Sequence, residues 1–118
     1  MIYTSYFGNS RNFPENFTTI AICAKSPEGY NGLEYKTLAP SYNTFKKYKD
    51  TGNESGFTAS YKSETLSKLK QPLVVRDLEA LANSNKIILL CYEKKGSFCH
   101  RTLVGEWLRE SGYDVQEL

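Results

Sequence analysis

The sequence has few cysteines and no long apolar run, and each shortage excludes a class of protein. Three cysteines in 118 residues, with no Cys-x-x-Cys spacing, indicate neither a disulfide framework nor a zinc finger. The longest apolar run, Ile87 to Cys91, is too short to cross a bilayer. No secretory leader follows Met1, so we expect a cytoplasmic protein with reduced thiols, no metal, no cofactor and no membrane partner.

An excess of charge of one sign is also absent. Lys and Arg number 15 against 13 Asp and Glu, and the resulting +2 disfavours nucleic acid as a partner. RNA binding through Lys46-Lys47-Tyr48-Lys49 remains an alternative, although such a segment is more often a solvated helix face. The length and the 40% hydrophobic content suit a single folded domain over 1–118. Tyrosine is the abundant aromatic, with nine copies.

The hydrophobic pattern predicts strands alternating with helices. Lys86 to Tyr92 is apolar on both faces, which is typical of the central strand of a parallel sheet. Strand–helix alternation favours a single α/β domain, a three-layer sandwich with a small, mainly parallel, Rossmann-like sheet. The other predicted strands are Ile2–Phe7, Thr18–Ala24 and a short Tyr113–Val115. The predicted helices are Pro72–Ala82 and a segment around Leu103–Leu108 that stops at Gly112. Two more segments with partial helical spacing, Tyr42–Asp50 and Phe57–Leu69, flank a turn at Thr51–Gly56.

In a parallel sheet, ligands bind outside the carboxyl ends of the strands. This rule selects the loops Gly8–Arg11, Lys25–Gly32 and Glu93–Arg101. The last of these leads from the central strand into a helix for which Ser97 is the predicted N-cap. Free amides at that helix start, together with Arg101, predict a site for phosphate or carboxylate.

Three residues in the same segment are candidates for catalysis. His100 is the only histidine and the only side chain with an ordinary pKa near neutrality. Glu93 has the chemistry of a nucleophile, a general base or an acceptor for a ribose hydroxyl, and Cys99 of an assisting thiol. The plain alternatives are a core position for the cysteine and a salt bridge from Glu93 to Arg101 or Arg11.

The tyrosines supply flat surfaces on which a base can stack, although at least half are expected to line the core. An anion site beside aromatic walls favours a nucleotide or a molecule like ADP-ribose. The predicted ligand-binding residues are Thr4, Ser5, Tyr6, Arg11, Lys25, Tyr30, Tyr92, Glu93, Cys99, His100 and Arg101.

Three segments carry a family resemblance. They are Leu89-Leu90-Cys91-Tyr92-Glu93-Lys94, Phe98-Cys99-His100-Arg101 with the following Leu-Val-x-Glu-Trp-Leu, and Leu38-Ala39-Pro40. In these segments the chain resembles the short, single-domain members of the domain-of-unknown-function 488 family. The family signature of a Cys-Glu strand end and a Cys-His-Arg helix start matches Cys91, Glu93, Cys99, His100 and Arg101, with Tyr92 where many relatives have a small residue.

The resemblance implies a three-layer α/β fold and a bacterial or bacteriophage source. It leaves two functions open. The first is binding of a small phosphorylated, nucleotide-like ligand, an ADP-ribose derivative or a cyclic nucleotide, by a phage protein that sequesters a bacterial immune signal. The alternative is an enzyme that cleaves or transfers an N-glycosidic or phosphate bond with Glu93 and His100. We also expect a homodimer, because pockets on short chains often borrow residues from a second copy.

Overall fold

The computed structural model describes residues 1–118 and contains one five-stranded, all-parallel sheet. The central strand is β4, whose residues are buried on both faces, which confirms the prediction for this segment. The strands are β1 (Ile2–Tyr6), β2 (Thr18–Ala21), β3 (Leu33–Glu34), β4 (Ile87–Cys91) and β5 (Val115–Glu117), and their order across the sheet is β3-β2-β4-β1-β5.

Four α-helices connect the strands: α1 (Tyr42–Thr51), α2 (Glu54–Glu64), α3 (Gln71–Ala82) and α4 (His100–Glu110). The side chain of Ser41 accepts a hydrogen bond from the amide of Thr44 and so caps the start of α1. Helix α3 has a proline in its first turn and ends at Asn83 in the left-handed conformation. Short 3-10 segments lie at Phe7–Asn12, Lys36–Leu38 and Leu66–Lys68.

The two faces of the sheet are covered differently, and together they give a three-layer α/β fold. On one face, which we call the helical face, Ile87 and Leu89 point into a core of 17 buried residues that includes side chains of α2, α3 and α4. Alternation along a strand sends Ile88 and Leu90 to the opposite side, where both are also buried. The helical face therefore holds the main hydrophobic core.

The opposite side, which we call the loop face, is covered by irregular segments rather than α-helices. Phe7, in the 3-10 segment after β1, packs edge-on against both Tyr30 and Tyr92. Tyr3 on β1 contacts Phe17, with ring centroids 5.2 Å apart. This third layer buries the loop face with aromatic side chains.

The structure differs from the sequence prediction at several element ends. Strand β2 ends at Ala21, three residues early, because the chain turns where the Cys23 thiol meets the carbonyl of Lys25. The predicted Tyr113–Val115 strand is instead Val115–Glu117, and β3 was not predicted because two residues show no alternation. Helix α2 begins before Phe57, at Glu54, because the Asn53 side chain caps the amide of Gly56. The N-cap of α4 is Cys99, not Ser97.

No helix of the structure has the length and apolar character needed to span a membrane.

Candidate functional site

Two thiols and an imidazole meet at the carboxyl end of the central strand, on the helical face. Cys91 is the last residue of β4, Cys99 is the N-cap of α4, and His100 is its first residue. The Nδ1 atom of His100 lies 3.4 Å from Sγ of Cys91 and 3.9 Å from Sγ of Cys99. All three side chains are buried. The parallel sheet and the helix start thus bring together residues that are separated in sequence by a polar loop.

The imidazole of His100 is held in one orientation by its neighbours. Its Nε2 atom lies 2.7 Å from the carbonyl oxygen of Ile22, just beyond β2. Its ring also packs edge-on against Tyr61, with centroids 5.5 Å apart. The Tyr61 hydroxyl donates in turn to the carbonyl of Leu38 at 2.5 Å. This contact gives the Leu38-Ala39-Pro40 segment a structural role behind the histidine.

The two thiols influence each other strongly. The neighbouring thiol of Cys91 lowers the pKa of Cys99, and His100 and the backbone amide of Arg101 act in the same direction against burial. The neighbouring thiol of Cys99, together with burial, raises the pKa of Cys91. Of the pair, Cys99 is therefore the thiol that ionises more readily. A thiolate at the start of α4 is also favoured by the helix dipole.

Arg101 joins three parts of the site as a buried clamp. Its side chain is 1% exposed and forms an ion pair with Glu117 at 2.9 Å. Its Nη1 atom donates to the carbonyl of Glu93 at 2.6 Å, and its guanidinium lies 5.8 Å from the centre of the Tyr6 ring. Burial opposes the charge, but the Glu117 carboxylate raises the pKa of Arg101. Glu117 also accepts a 2.5 Å hydrogen bond from the Thr4 hydroxyl.

A cleft of about 630 Å³ opens beside this clamp, and we call it the α4 cleft. Cys99 and Arg101 lie in its wall, so the family signature reaches this surface. Phe98 is its aromatic residue, and it packs against Tyr48 and Phe57. The α4 cleft is lined by Thr4, Glu54, Lys95, Gly96, Ser97, Phe98, Cys99, Arg101, Thr102, Leu103, Gly105, Glu106, Arg109 and Glu117.

The charges of the α4 cleft are mixed. The charge of Arg101 is matched by Glu117, and the Arg109 guanidinium donates to the carbonyl of Val115 at 2.6 Å. Lys95 is exposed on the loop that forms the rim, and no ion pair engages it. Glu106 is an exposed carboxylate on α4. The rim lysine is therefore the cation best placed to meet an incoming anion.

The structure brings some of the predicted site residues together. Thr4, Cys99 and Arg101 line the α4 cleft, and His100 lies beside Cys99 in the interior. The Glu93 side chain is exposed and only its backbone carbonyl contacts the site. The salt bridge considered between Glu93 and Arg101 is not formed, because Glu117 occupies that position.

The other predicted residues lie away from the α4 cleft. Ser5 points to the loop face and accepts a hydrogen bond from Asn9. Tyr92 also lies there and donates to the carbonyl of Lys25. Four further predicted residues lie outside the cleft: Tyr6, which packs on Arg101, Arg11 and Lys25, which are exposed, and Tyr30, whose hydroxyl donates to the carbonyl of Leu33.

Several residues of the site were not predicted. Glu117 is the most important, because it neutralises Arg101 and binds Thr4. The pairing of Val115 with Ile2 carries Glu117 to a position beside Thr4, and that register is not visible in the sequence. Glu106 and Arg109 follow at helical spacing from the signature, which is a signal that sequence reasoning had available.

The fold and the signature define a class first: an α/β protein of the domain-of-unknown-function 488 type, with its Cys-Glu and Cys-His-Arg elements at one sheet edge. The chain belongs to the DUF488-N3a family, described as the active DUF488-N3 subclade, whose model matches residues 3–112. Neither a curated protein nor a solved structure matches the chain.

Proposed function

We propose that the protein binds a small phosphorylated, nucleotide-like molecule in the α4 cleft. The observation that carries this proposal is the cleft itself, which runs along α4 from its N-cap to Arg109 and is bordered by Thr4 of β1 and by Glu117 at the end of β5. Its volume of about 630 Å³ falls within the range of sites for small molecules. Two signature residues, Cys99 and Arg101, stand in its wall.

The phosphate end of such a ligand would meet the start of α4. Helix α4 has no side-chain cap at its start, and the amide of Thr102 donates to the carbonyl of Cys99. The amides of His100 and Arg101 are left without a backbone partner. The helix dipole favours an anion at this point. Lys95 adds an exposed ammonium group on the rim. Arg101 mainly stabilises the structure around the start of α4 and does not bind the phosphate, since its charge is matched by Glu117.

The rest of the ligand has polar and aromatic partners. The carboxylates of Glu54 and Glu106 can accept hydrogen bonds from sugar hydroxyls. Phe98 offers an aromatic side chain for a base. If the protein holds such a molecule without consuming it, it acts by sequestration. This is the role that we propose for it, as a bacteriophage protein directed against a bacterial immune signal.

Calorimetry with AMP, ADP-ribose and 3′,5′-cyclic AMP tests the binding proposal. The chain offers a matched pair of neighbours, because Lys95 lines the α4 cleft and Lys94 does not. Lys95→Ala should weaken binding of the ligand that binds best about tenfold, the value of a hydrogen bond to a charged group. Lys94→Ala should bind as the wild type does. Absence of binding by all three ligands, or equal losses in both variants, would overturn the proposal.

A second candidate is an enzyme that acts on an N-glycosidic or phosphate bond of the same molecule. Two observations favour it: Cys99 lines the cleft and its sulfur lies 3.9 Å from Nδ1 of His100, and the family description uses the word active. The exposed Glu93 is less well placed for this chemistry, because its side chain does not line the cleft.

Mass spectrometry of the ligand before and after incubation separates the two candidates. If the protein is an enzyme, product should form with the wild type and with Glu93→Gln, whereas Cys99→Ser should bind the ligand without converting it. Recovery of the intact ligand from the wild type would show that the protein binds the ligand without converting it. Loss of conversion in Glu93→Gln with retained binding would return the catalytic role to Glu93.

A further inference from the structure

The cluster of Cys91, Cys99 and His100 has a geometry that binding of a ligand in the α4 cleft does not explain. Two sulfur atoms and one nitrogen, all buried, lie within 4.8 Å of one another. They come from the end of β4 and the start of α4, two elements that the sheet holds in fixed positions. Three convergent soft donors of this kind are the ligands that zinc takes in proteins.

The hydrogen bond at the far side of the imidazole determines which nitrogen is free. A carbonyl oxygen can only accept, so Nε2 of His100 must carry the proton that it donates to Ile22. In the neutral ring, Nδ1 then has a lone pair, and it is the atom that faces both thiols. Histidines that bind metals are commonly oriented in this way by a backbone carbonyl.

The nitrogen–sulfur distances fit a tetrahedral ion. Zinc bond lengths of about 2.3 Å to sulfur and about 2.0 Å to nitrogen place the two donor atoms about 3.6 Å apart. The observed distances from His100 Nδ1 to the sulfurs are 3.4 and 3.9 Å, on either side of that value. The three donor atoms lie within 4.8 Å of one another, whereas two zinc–sulfur bonds of about 2.3 Å place the sulfurs about 3.8 Å apart. The two thiols must therefore approach each other by up to about 1 Å when the ion binds.

Charge also favours a divalent ion. A buried charge is costly unless it is compensated. Two thiolates and a neutral imidazole around Zn²⁺ give a site with no net charge, which suits the buried position of Cys91, Cys99 and His100. Hard cations such as Mg²⁺ prefer oxygen donors and find none among these three side chains.

We propose that Cys91, Cys99 and His100 form a Zn²⁺ site with a fourth coordination position on the side of the α4 cleft. Three protein ligands and one exchangeable position are typical of catalytic rather than structural zinc. Of the three ligands, Cys99 is the one that lines the cleft, so an outside ligand would approach past it. The spacing of these ligands, with two of them adjacent in sequence, does not resemble a zinc finger, which is why the sequence predicted no metal.

Metal binding to the reduced, chelator-treated full chain tests this site directly. Titration with Zn²⁺ against a chromophoric chelator should show one ion per chain. Co²⁺ in place of Zn²⁺ should develop the absorption bands of thiolate coordination, and Mg²⁺ should produce no change. Cys91→Ser and His100→Gln should each weaken Zn²⁺ binding about 100-fold or more, at least as much as the loss of an outer-shell partner.

Cys23 provides the matched control, because it is a third buried cysteine and its thiol contacts the carbonyl of Lys25 instead of the cluster. Cys23→Ser should bind Zn²⁺ as the wild type does. Equal weakening in Cys23→Ser and Cys91→Ser, or wild-type affinity in Cys91→Ser and His100→Gln, would overturn the proposal.

A second measurement avoids variants that fail to fold. In the wild type, Zn²⁺ should slow the alkylation of Cys99 by iodoacetamide, followed on its peptide by mass spectrometry, and Mg²⁺ should not. Equal alkylation rates with and without Zn²⁺ would contradict the site. The zinc proposal does not rest on the proposed nucleotide-like ligand. If calorimetry shows no ligand binding but Zn²⁺ still binds, only the ligand proposal fails. If the ligand binds but Zn²⁺ does not, only the zinc proposal fails.

Discussion

The two faces of the sheet bury similar strands in different ways. On the helical face, α3 and α4 pack mainly aliphatic side chains, and α2 packs Phe57 and Tyr61, into one core with β1, β2, β4 and β5. Helix α4 begins at the carboxyl edge of the sheet on this face. On the loop face, irregular segments cover the strands with aromatic rings whose hydroxyls bond to the backbone. The comparison shows that the residues predicted from the sequence to form one site are divided between the two faces. The thiols, the imidazole and the clamp lie on the helical face, and most of the tyrosines predicted to bind a base lie on the other.

Adjacent leucines of β4 give the largest test of this comparison. Leu89 points into the 17-residue core and Leu90 points to the loop face, and both are at most 2% exposed. Leu89→Ala should cost about 4 kcal/mol of unfolding free energy, whereas Leu90→Ala should cost about 2 kcal/mol because loops collapse onto a cavity more easily than helices. Urea denaturation with both variants measures the difference. A larger cost for Leu90→Ala would reverse the assignment of the main core.

The buried clamp on the helical face gives the next effect. Glu117→Gln removes the charge that matches a guanidinium with a side-chain exposure of 1%. The expected loss is about 2–3 kcal/mol, below the usual cost for a buried pair because the Glu117 side chain is 27% exposed. Glu110→Gln, an exposed position at the end of α4, should change stability by less than about 0.5 kcal/mol and serves as the control. Equal effects of the two changes in thermal or urea unfolding would show that the clamp contributes nothing.

Tyrosine hydroxyls on the two faces give a smaller effect. Tyr61 is fully buried beside His100 and donates to Leu38, whereas Tyr30 is half-buried and donates to Leu33. Tyr61→Phe leaves a buried carbonyl without its partner and should cost about 2 kcal/mol, and Tyr30→Phe about 1 kcal/mol or less, because water can replace the lost bond. Urea unfolding of both variants checks the order. A greater loss for Tyr30→Phe would mean that the loop face depends more on its hydrogen bonds.

The smallest effect appears at high pH. Burial, aided by Asp77, raises the pKa of Tyr35 to about 12 in the folded protein, above an unfolded value of about 10. Below pH 10 the phenol is protonated in both states, and between about pH 10 and 12 only the unfolded chain ionises, so stability falls with rising pH. Tyr35→Phe should remove part of that fall in urea midpoints measured across this interval. An unchanged slope would show that the Tyr35–Asp77 contact does not persist in solution.

The order and type of most elements could be predicted because their periodicity is strong. The apolar run Ile87–Cys91 and the stripe of Leu103, Val104, Trp107 and Leu108 identify the central strand and the helix that packs on it. The two-residue β3 could not be predicted, since its formation depends on pairing with β2 rather than on local pattern. The start of α2 was missed for a different, local reason: the cap at Asn53 outweighs the two glycines and the serine nearby, which favour a turn.

The candidate site was predictable only in its local part. Cys99, His100 and Arg101 are contiguous, and a rule about strand ends was sufficient to select them. Ser5 and Tyr92 were grouped with residues from which the sheet separates them, although alternation along a strand already places Ser5 opposite Thr4 and Tyr92 opposite Cys91. Glu117 was missed because its partner lies 16 residues away and is reached through parallel pairing.

The connection between Cys91 and Cys99 has a consequence for how this protein can change. Its residues are exposed except Phe98, while both of its ends are buried. Glu93 and Phe98 tie the two ends of this connection to the domain, through the Arg101 guanidinium and the Phe57 ring. Between them Gly96 turns the chain with a φ of 89°, and the Ser97 amide donates to the carbonyl of Lys94, so the tip folds back on itself. Substitutions or added residues here would alter the rim without displacing the groups beneath it. The segment is thus the natural place for selectivity to diverge, or to be redesigned, on an unchanged scaffold.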